Sequence, residues 1–370
     1  MAEDDGRFRI IGLRPWSVLL PLLALAAIFA GKPDDIVPAA LCALLLGGAI
    51  LAAVYHAEVL AHYLGEPYGT LTLALAVTVI EVSLIVSIML SDGAAAQALA
   101  RDTLIAAIMI TINAIVGLCL LVGGRRHHEQ SYTQSGVSAG LAILATLSVL
   151  TLVLPNFTVT AGGPFYAPTQ LVFVALVSLI LYGTFVVAQT IRHREYFLHR
   201  DEGDEEGEGD DHAHQAPVRR PKAIAASAAL LVALVGVVLL AKNLSPAIEA
   251  GVAAIGAPRA LVGIIIAALV LAPEGFAALA AARANRVQTS LNLAIGSALA
   301  TIGLTIPAVA IVALILDLDL ELGLSMRSTV LLALTLLVAT LTLSRGRTTV
   351  VQGVIHLVIF ATYLFTTIVP

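Results

Sequence analysis

Long apolar runs, separated by short charged or Pro/Gly-rich breaks, form the dominant pattern of this chain. A membrane-spanning helix needs about 20 mostly apolar residues, whereas a strand of a membrane barrel needs only about 10 with alternating polarity. The unbroken runs therefore predict an all-α polytopic membrane protein with about eleven transmembrane helices. The predicted spans cover residues 14–31, 37–59, 68–91, 103–123, 137–154, 168–191, 222–242, 258–280, 290–316, 328–343 and 350–369.

The composition agrees with a membrane protein. Hydrophobic residues make up 59% and charged residues 12% of the 370 residues, and the mean hydropathy is +0.96. Soluble domains carry about twice that share of charge. The two cysteines lie inside apolar runs, without zinc or disulfide spacing. The leader before the first run carries Glu3, Asp4 and Asp5, unlike the basic start of a signal peptide, so this run is predicted to be an extra first helix.

The loops differ in their content of Lys and Arg, which sets the orientation of most membrane proteins. With a cytoplasmic N-terminus, 15 of the 20 Lys and Arg residues fall on the cytoplasmic side. The bias predicts a multi-pass protein with its N-terminus in the cytoplasm and its C-terminus on the outer side.

The longest polar break covers residues 192–221 and contains the sequence DEGDEEGEGDDHAHQ. Because so many like charges repel one another, we expect a disordered cytoplasmic loop. A role as a cation sensor or buffer is the alternative. It would involve Asp201, Glu202, Asp204, Glu205 and Glu206.

The acidic break divides the chain into two halves of five predicted spans each. The expected organisation is a tail with the first helix (1–36), a first five-helix repeat (37–191), the acidic loop (192–221) and a second five-helix repeat (222–370). Because five is odd, the two halves must cross the membrane in opposite directions. This is the inverted-repeat architecture of many transporters, which bind their substrate near the middle of the membrane.

Glu81 and Glu274 are the only acids deep inside any predicted span, and each lies in the second span of its half. A charged residue at the centre of a membrane helix costs about 2.5–3.5 kcal/mol on insertion scales. One interpretation is that each is protonated or paired with a polar neighbour and serves packing. The other is that the two carboxylates share a cation, and hold protons when the cation is absent.

The next span of each half carries a related pattern, AAIMITIN at 106–113 and GSALATIG at 296–303. Both place a threonine at the same offset after two small residues, and hydroxyls are oxygen ligands for hard cations. Pro273 cannot donate to the carbonyl of Leu269, so it either frees a carbonyl ligand or only kinks the helix. The candidate supporting ligands are Thr78, Thr111, Asn113, Pro273, Gly296, Ser297 and Thr301.

Three further polar residues have two interpretations each. Glu58 and Glu66 flank the cytoplasmic ends of the second and third spans. They could attract cations as a funnel, or serve as helix caps and solvated ends. His356 lies well inside the last span, where it is either a proton relay or a hydrogen-bonded packing residue.

Four segments of the chain resemble the calcium/cation antiporter superfamily, specifically its bacterial ChaA-type calcium/proton antiporters. They are HYLGEPYGTLTLALAVTVIEVSLI (62–85), RDTLIAAIMITINAIVGLCLLVGGRRH (101–127), LAPEGFAALAAARANRVQTSLNLAIGSALATIGLTIPAV (271–309) and GRTTVVQGVIHLVIFATYL (346–364). The resemblance implies two inverted five-helix repeats plus an extra first helix, in a bacterial inner membrane. It also implies that Glu81 and Glu274 bind the cation and the counter-transported protons, with help from Gly296 and Ser297.

The first repeat departs from the pattern of this superfamily. Val79-Ile80 stands where Gly-Asn is usual, Ala106-Ala107 where Gly-Ser is usual, and Thr111 where Asn is usual. These changes remove oxygen ligands and leave room for Na⁺ or K⁺ beside Ca²⁺.

The leading hypothesis is therefore a secondary antiporter that exports Ca²⁺, with Na⁺ and K⁺ as further candidate cations, in exchange for protons. A monovalent-cation/proton antiporter with little Ca²⁺ transport is the alternative. A cation channel and a membrane-embedded hydrolase using two acids are alternatives of other classes. The chain has no GxxxxGK[ST] or HExxH motif, so we expect no enzyme activity and no cofactor. The expected partners are the lipid bilayer, the cations and protons, with no nucleic acid.

Overall fold

A computed structural model describes residues 12–33, 35–65, 68–92, 97–197 and 220–369 of the chain. Within these residues the chain is almost entirely helical, as the apolar pattern predicts. A short 3₁₀ helix covers Arg194–Tyr196, and the two short strands are β1 (Gln130–Ser131) and β2 (Arg347–Thr348). The helices are α1 (Pro15–Ile28), α2 (Ile36–Leu64), α3 (Tyr68–Asp92), α4 (Leu99–His127), α5 (Gln134–Phe157), α6 (Pro168–Arg192), α7 (Arg220–Ala254), α8 (Ala260–Arg283), α9 (Val287–Leu316), α10 (Met326–Leu343) and α11 (Val350–Ile368).

Each of the eleven predicted spans corresponds to one of these helices. Among the described residues, nine helices are long and apolar enough to cross a membrane, and two shorter apolar helical segments cover Pro15–Ile28 and Ala74–Val86. The largest boundary difference is at α7, which was predicted to end at residue 242 and continues to Ala254. Its 35 residues extend about 50 Å, more than the hydrocarbon thickness of about 30 Å. Lys242 marks the end of the apolar stretch and not the end of the helix.

Four of the long helices contain π-helical segments, which the sequence did not predict. They are Met109–Ile115 in α4, Val149–Val153 in α5, Ala188–Arg192 in α6 and Thr301–Thr305 in α9. Such wide turns are frequent at functional sites. The segments in α4 and α9 lie in the third helix of each predicted repeat, where the two related sequence patterns occur.

The described residues form two compact units. The first contains α1, α2, α3 up to Ile80 and α7 up to Ile248, and the second contains the rest from Glu81 and from Glu249 onward. The units therefore do not follow the two sequence halves, because the first helix of each half, α2 or α7, belongs to the first unit.

In the first unit, α1 packs on α2 through small and apolar residues. Leu13, Val59 and Ala226 form a buried cluster. The imidazole of His56 lies with its Nε2 atom 2.9 Å from the carbonyl oxygen of Ser17, which joins the two helices through a buried hydrogen bond.

In the second unit, glycines bring α4 and α11 into backbone contact. A Cβ atom on Gly353 would lie 2.5 Å from the backbone nitrogen of Leu121 and 2.8 Å from the carbonyl oxygen of Gly117. Small residues allow such close approach between membrane helices. The position of α11 against α4 therefore depends on the absence of a side chain at Gly353.

At each end of the second unit, hydrogen bonds join loops that are distant in sequence. At one end β1 and β2 pair antiparallel, with Gln130 opposite Thr348. At the other end the guanidinium of Arg101 donates to Asp102 and Glu321, and also lies 3.3 Å from the carbonyl oxygen of Gly323. These contacts join the connections between helices that are far apart in sequence.

Candidate functional site

Glu81 lies on α3 and is only 4% exposed. The hydroxyl of Thr305 donates to its Oε2 atom at 3.0 Å, and the Thr301 hydroxyl lies close enough to interact with the same carboxylate. Both threonines belong to the π-helical segment of α9. The wide turn thus presents two hydroxyls to one buried carboxylate.

Glu274 lies on α8, is partly buried, and is close enough to Glu81 for the two carboxylates to interact electrostatically. The structure therefore brings together the two acids that the sequence singled out. The helix α8 runs without a break through the partly buried Pro273 and packs against α4 and α9. Because proline has no N–H, the carbonyl of Leu269 loses its usual helical partner at this point.

The remaining sequence-predicted ligands lie on the same helices but differ in what they offer. Thr111 is fully buried, and its hydroxyl donates to the carbonyl oxygen of Ala107 at 2.8 Å. Thr78, one turn before Glu81, donates to the carbonyl oxygen of Ala74 at 2.8 Å. Ser297 is partly buried. Among the described residues, a Cβ atom on Gly296 would meet no atom within 4 Å.

Asn113 is part of a different polar cluster, which joins α4, α10 and α11. Its amide nitrogen donates to the Thr335 hydroxyl at 2.9 Å and contacts the Met109 sulfur at 3.3 Å. Its Oδ1 atom lies 3.0 Å from Nδ1 of His356, whose Nε2 atom lies 2.9 Å from the Thr342 hydroxyl. Within the described residues, these contacts involve both the nitrogen and the oxygen of the Asn113 amide, which binds Thr335, Met109 and His356.

Of the candidate funnel and sensor residues, the structure describes only Glu58. Glu58 lies exposed near the end of α2. Glu66 and the acidic residues of the long loop (Asp201, Glu202, Asp204, Glu205 and Glu206) lie outside the described residues. In the part of the chain that the structure describes, there is no group of three or more His, Cys, Asp and Glu side chains suited to a resident metal ion.

Sequence reasoning missed Thr305. Its signal was present, because Thr305 follows Thr301 by four residues and residues at this spacing share a helix face. The sequence does not show which carboxylate that helix face contacts. The hydrogen bond to Glu81 joins residues 224 positions apart in the chain.

The sequence profile of the sodium/calcium exchanger protein family matches residues 36–191 and 225–369. The chain belongs to the sodium/calcium exchanger family. The two matched ranges are separated by the acidic break, and together they contain every residue of the candidate site described above.

Two relatives match this chain over nearly their whole length. The chain is 47% identical over 361 residues to a protein of Sinorhizobium fredii named as an ionic transporter, y4hA, with 96% of each chain covered. It is 36% identical over 355 residues to the sodium-potassium/proton antiporter ChaA of Escherichia coli, with 95% of each chain covered.

Two solved structures share the fold of this exchanger-family chain. The structure of native YfkE has a TM-score of 0.71 at 17% identity and covers 96% of this chain and 99% of its own. The crystal structure of the H⁺/Ca²⁺ exchanger CAX has a TM-score of 0.71 at 18% identity and covers 94% of this chain and 86% of its own. The ChaA-type resemblance and the all-helical fold expected from the sequence are thereby confirmed.

Proposed function

We propose that this chain is a secondary antiporter that exchanges a cation for protons at Glu81 and Glu274. The observation that supports this most directly is the pairing of two carboxylates from opposite halves of the chain, one of them 4% exposed and held by hydroxyls. The names of ChaA, a sodium-potassium/proton antiporter, and of CAX, an H⁺/Ca²⁺ exchanger, point to the same class.

The mechanism follows from the cost of charge inside the membrane. Each uncompensated charge costs about 2.5–3.5 kcal/mol or more. The site can therefore change its exposure from one side of the membrane to the other only when its carboxylates are neutralised. A divalent cation neutralises both, and so do two protons. A monovalent cation neutralises one and leaves the other to carry a proton. We therefore expect two protons to exchange for one Ca²⁺, and one proton for one Na⁺ or K⁺.

Ca²⁺, Na⁺ and K⁺ are the candidate substrates. Ca²⁺ prefers six to eight oxygen ligands, and two carboxylates supply at most four. Thr301 and Thr305 add hydroxyls beside Glu81, with Thr78, Ser297 and the freed carbonyl of Leu269 as further candidates. A monovalent-cation antiporter with little Ca²⁺ transport is the second candidate, favoured by Ala107 standing where a serine is usual in the superfamily.

The direction and location of transport are proposed from the loops. The bias of Lys and Arg supports a cytoplasmic N-terminus and an outer C-terminus in a bacterial inner membrane. A proton gradient across that membrane would drive cation export. The acidic loop would face the cytoplasm as a linker, or as a sensor of the exported cation.

The decisive experiment measures proton flux in proteoliposomes after Ca²⁺, Na⁺ or K⁺ is added separately. We expect cation-evoked flux for the wild type and none for Glu81→Gln or Glu274→Gln, with Glu129→Gln, an exposed loop carboxylate, as a matched control. A Glu81→Gln variant that transports like the wild type would make that glutamate structural. A wild type without coupled flux for any of the three ions would contradict antiport.

A further inference from the structure

The two halves of the site can be compared position by position through their related patterns. Thr111 in α4 corresponds to Thr301 in α9, and both lie in a π-helical segment. Four residues further along, the same comparison sets Ile115 against Thr305. One half of the site therefore has a hydroxyl where the other half has an alkyl side chain.

On the Glu81 side, this position is polar and engaged. Thr305 is fully buried, and its hydroxyl lies 3.0 Å from Oε2 of Glu81. The Thr301 hydroxyl reaches the same carboxylate. A cation held by Glu81 therefore has two hydroxyl oxygens beside the carboxylate, each able to rotate its hydrogen away and present a lone pair.

On the Glu274 side, the corresponding position is apolar. Ile115 is buried, and its Cδ1 atom would lie 3.3 Å from a Cβ atom on Gly275, the residue after Glu274. The matching Thr111 hydroxyl is directed to carbonyl oxygens of its own helix, Ala107 at 2.8 Å and Ile108 at 3.2 Å. The π turn of α4 thus offers fewer free oxygens than the π turn of α9.

We propose that Thr305 and Ile115 determine the cation preference of the site, an inference that rests on the proposed antiport function. Thr305 supplies a ligand beside Glu81, and Ile115 withholds one beside Glu274. The bound ion lies nearer to Glu81, and the oxygen withheld beside Glu274 is a greater loss for Ca²⁺, which takes six to eight oxygen ligands, than for a monovalent ion. The arrangement favours a monovalent cation over Ca²⁺.

The test compares pairs of variants that differ by one hydroxyl. Thr305→Val removes the hydroxyl and keeps the shape of the side chain. Thr151→Val is the matched control, because Thr151 is also fully buried in a π-helical segment and its hydroxyl bonds only its own helix, at the carbonyl oxygen of Leu147. Ile115→Thr adds a hydroxyl, and Ile115→Val is its control, because valine has the size of threonine without the hydroxyl.

The measurement is the half-saturating concentration of Na⁺, K⁺ and Ca²⁺ for proton flux in proteoliposomes, with the maximal rate determined separately. We expect Thr305→Val to raise the half-saturating concentration of Na⁺ roughly five- to tenfold, as for the loss of one hydrogen-bonding or ligand oxygen. Thr151→Val should change it less than about twofold. Ile115→Thr should lower the ratio of the Ca²⁺ value to the Na⁺ value roughly fivefold relative to Ile115→Val.

The outcomes separate this inference from the function on which it rests. Wild-type flux that Glu81→Gln abolishes, together with Thr305→Val values equal to the wild type, would overturn the role of Thr305 and leave antiport intact. Equal ion ratios for Ile115→Thr and Ile115→Val would overturn the role of Ile115. Absence of wild-type flux would overturn antiport itself. Cation-dependent thermal stabilisation of the purified variants provides a second readout of the same affinities.

Discussion

The replacement of His356 by leucine or asparagine tests whether this buried histidine is part of the scaffold or carries protons. Because the Asn113 amide nitrogen donates to Thr335 and Met109, its Oδ1 atom must accept, so Nδ1 of His356 carries the hydrogen. Nε2 then accepts from Thr342. A neutral imidazole satisfies every member of this cluster.

The magnitude follows from what each variant leaves behind. His356→Leu strands the buried Oδ1 atom of Asn113, whereas the Thr342 hydroxyl can turn its hydrogen to the carbonyl oxygen of Val338, 2.7 Å away. A stranded buried acceptor costs about 1–3 kcal/mol, and hydrogen bonds between membrane helices average about 0.6 with a maximum near 1.7. His356→Asn places an amide donor near the Nδ1 position. We expect the leucine variant to be about 1.5 kcal/mol less stable than the asparagine variant.

The assay combines thermal unfolding in detergent with the pH profile of cation-evoked proton flux. For a chain of 370 residues, a difference of about 1.5 kcal/mol corresponds to a Tm lower by about 2 °C for His356→Leu than for His356→Asn. The scaffold role also requires His356→Asn to transport with the pH profile of the wild type. Loss of proton-coupled flux in a His356→Asn protein of normal Tm would refute this reasoning and assign the histidine a role in proton transfer.

Three other predictions concern the site, the helix packing and the loops. Protons and cations compete for the same carboxylates, so raising the pH should lower the half-saturating cation concentration, by up to about tenfold per pH unit for each proton displaced. Flux titrations between about pH 6.5 and 8.5 measure this, and a half-saturating concentration that does not change with pH would contradict shared carboxylates. Gly353→Ala should lower stability by about 1–3 kcal/mol because its Cβ atom meets the α4 backbone. Gly183→Ala, whose Cβ atom meets no described atom within 4 Å, should not lower the Tm, and equal Tm values for the two variants would contradict the close packing. Arg101 forms a mostly buried ion pair with Glu321, whereas the ion pair of Arg347 with Glu129 is exposed and 3.6 Å long. Arg101→Gln should therefore lower the Tm more than Arg347→Gln, and the reverse order would show that the Arg101 ion pairs do not stabilise the fold.

The helices were predictable because their signal is local. Each span is an apolar run of membrane length, so composition within one window decides it, and all eleven predicted spans are helical in the structure. Boundaries were less predictable. The end of α7 lies beyond Lys242 because a helix continues wherever its residues tolerate it, whereas hydropathy reports only the apolar part.

The chemistry of the site was predictable in part. Glu81 and Glu274 stood out because a carboxylate deep in an apolar span is costly, and their places in two opposed halves suggested one shared site. Thr305 was missed, and Asn113 was counted as a ligand although its amide is engaged by His356, Thr335 and Met109. Both depend on how one helix is rotated against another.

The sequence by itself determined which segments are helices and which two carboxylates lie deep in apolar segments, and it predicts that the two halves run in opposite directions. Only the tertiary structure decided which hydroxyls meet Glu81, that the α4 and α9 patterns lie in π turns, and that His356 holds Asn113. The physical reason is the range of the interactions. Burial of an apolar run is set within about 20 residues, whereas a hydrogen bond between Glu81 and Thr305 is set by the packing of helices 224 residues apart.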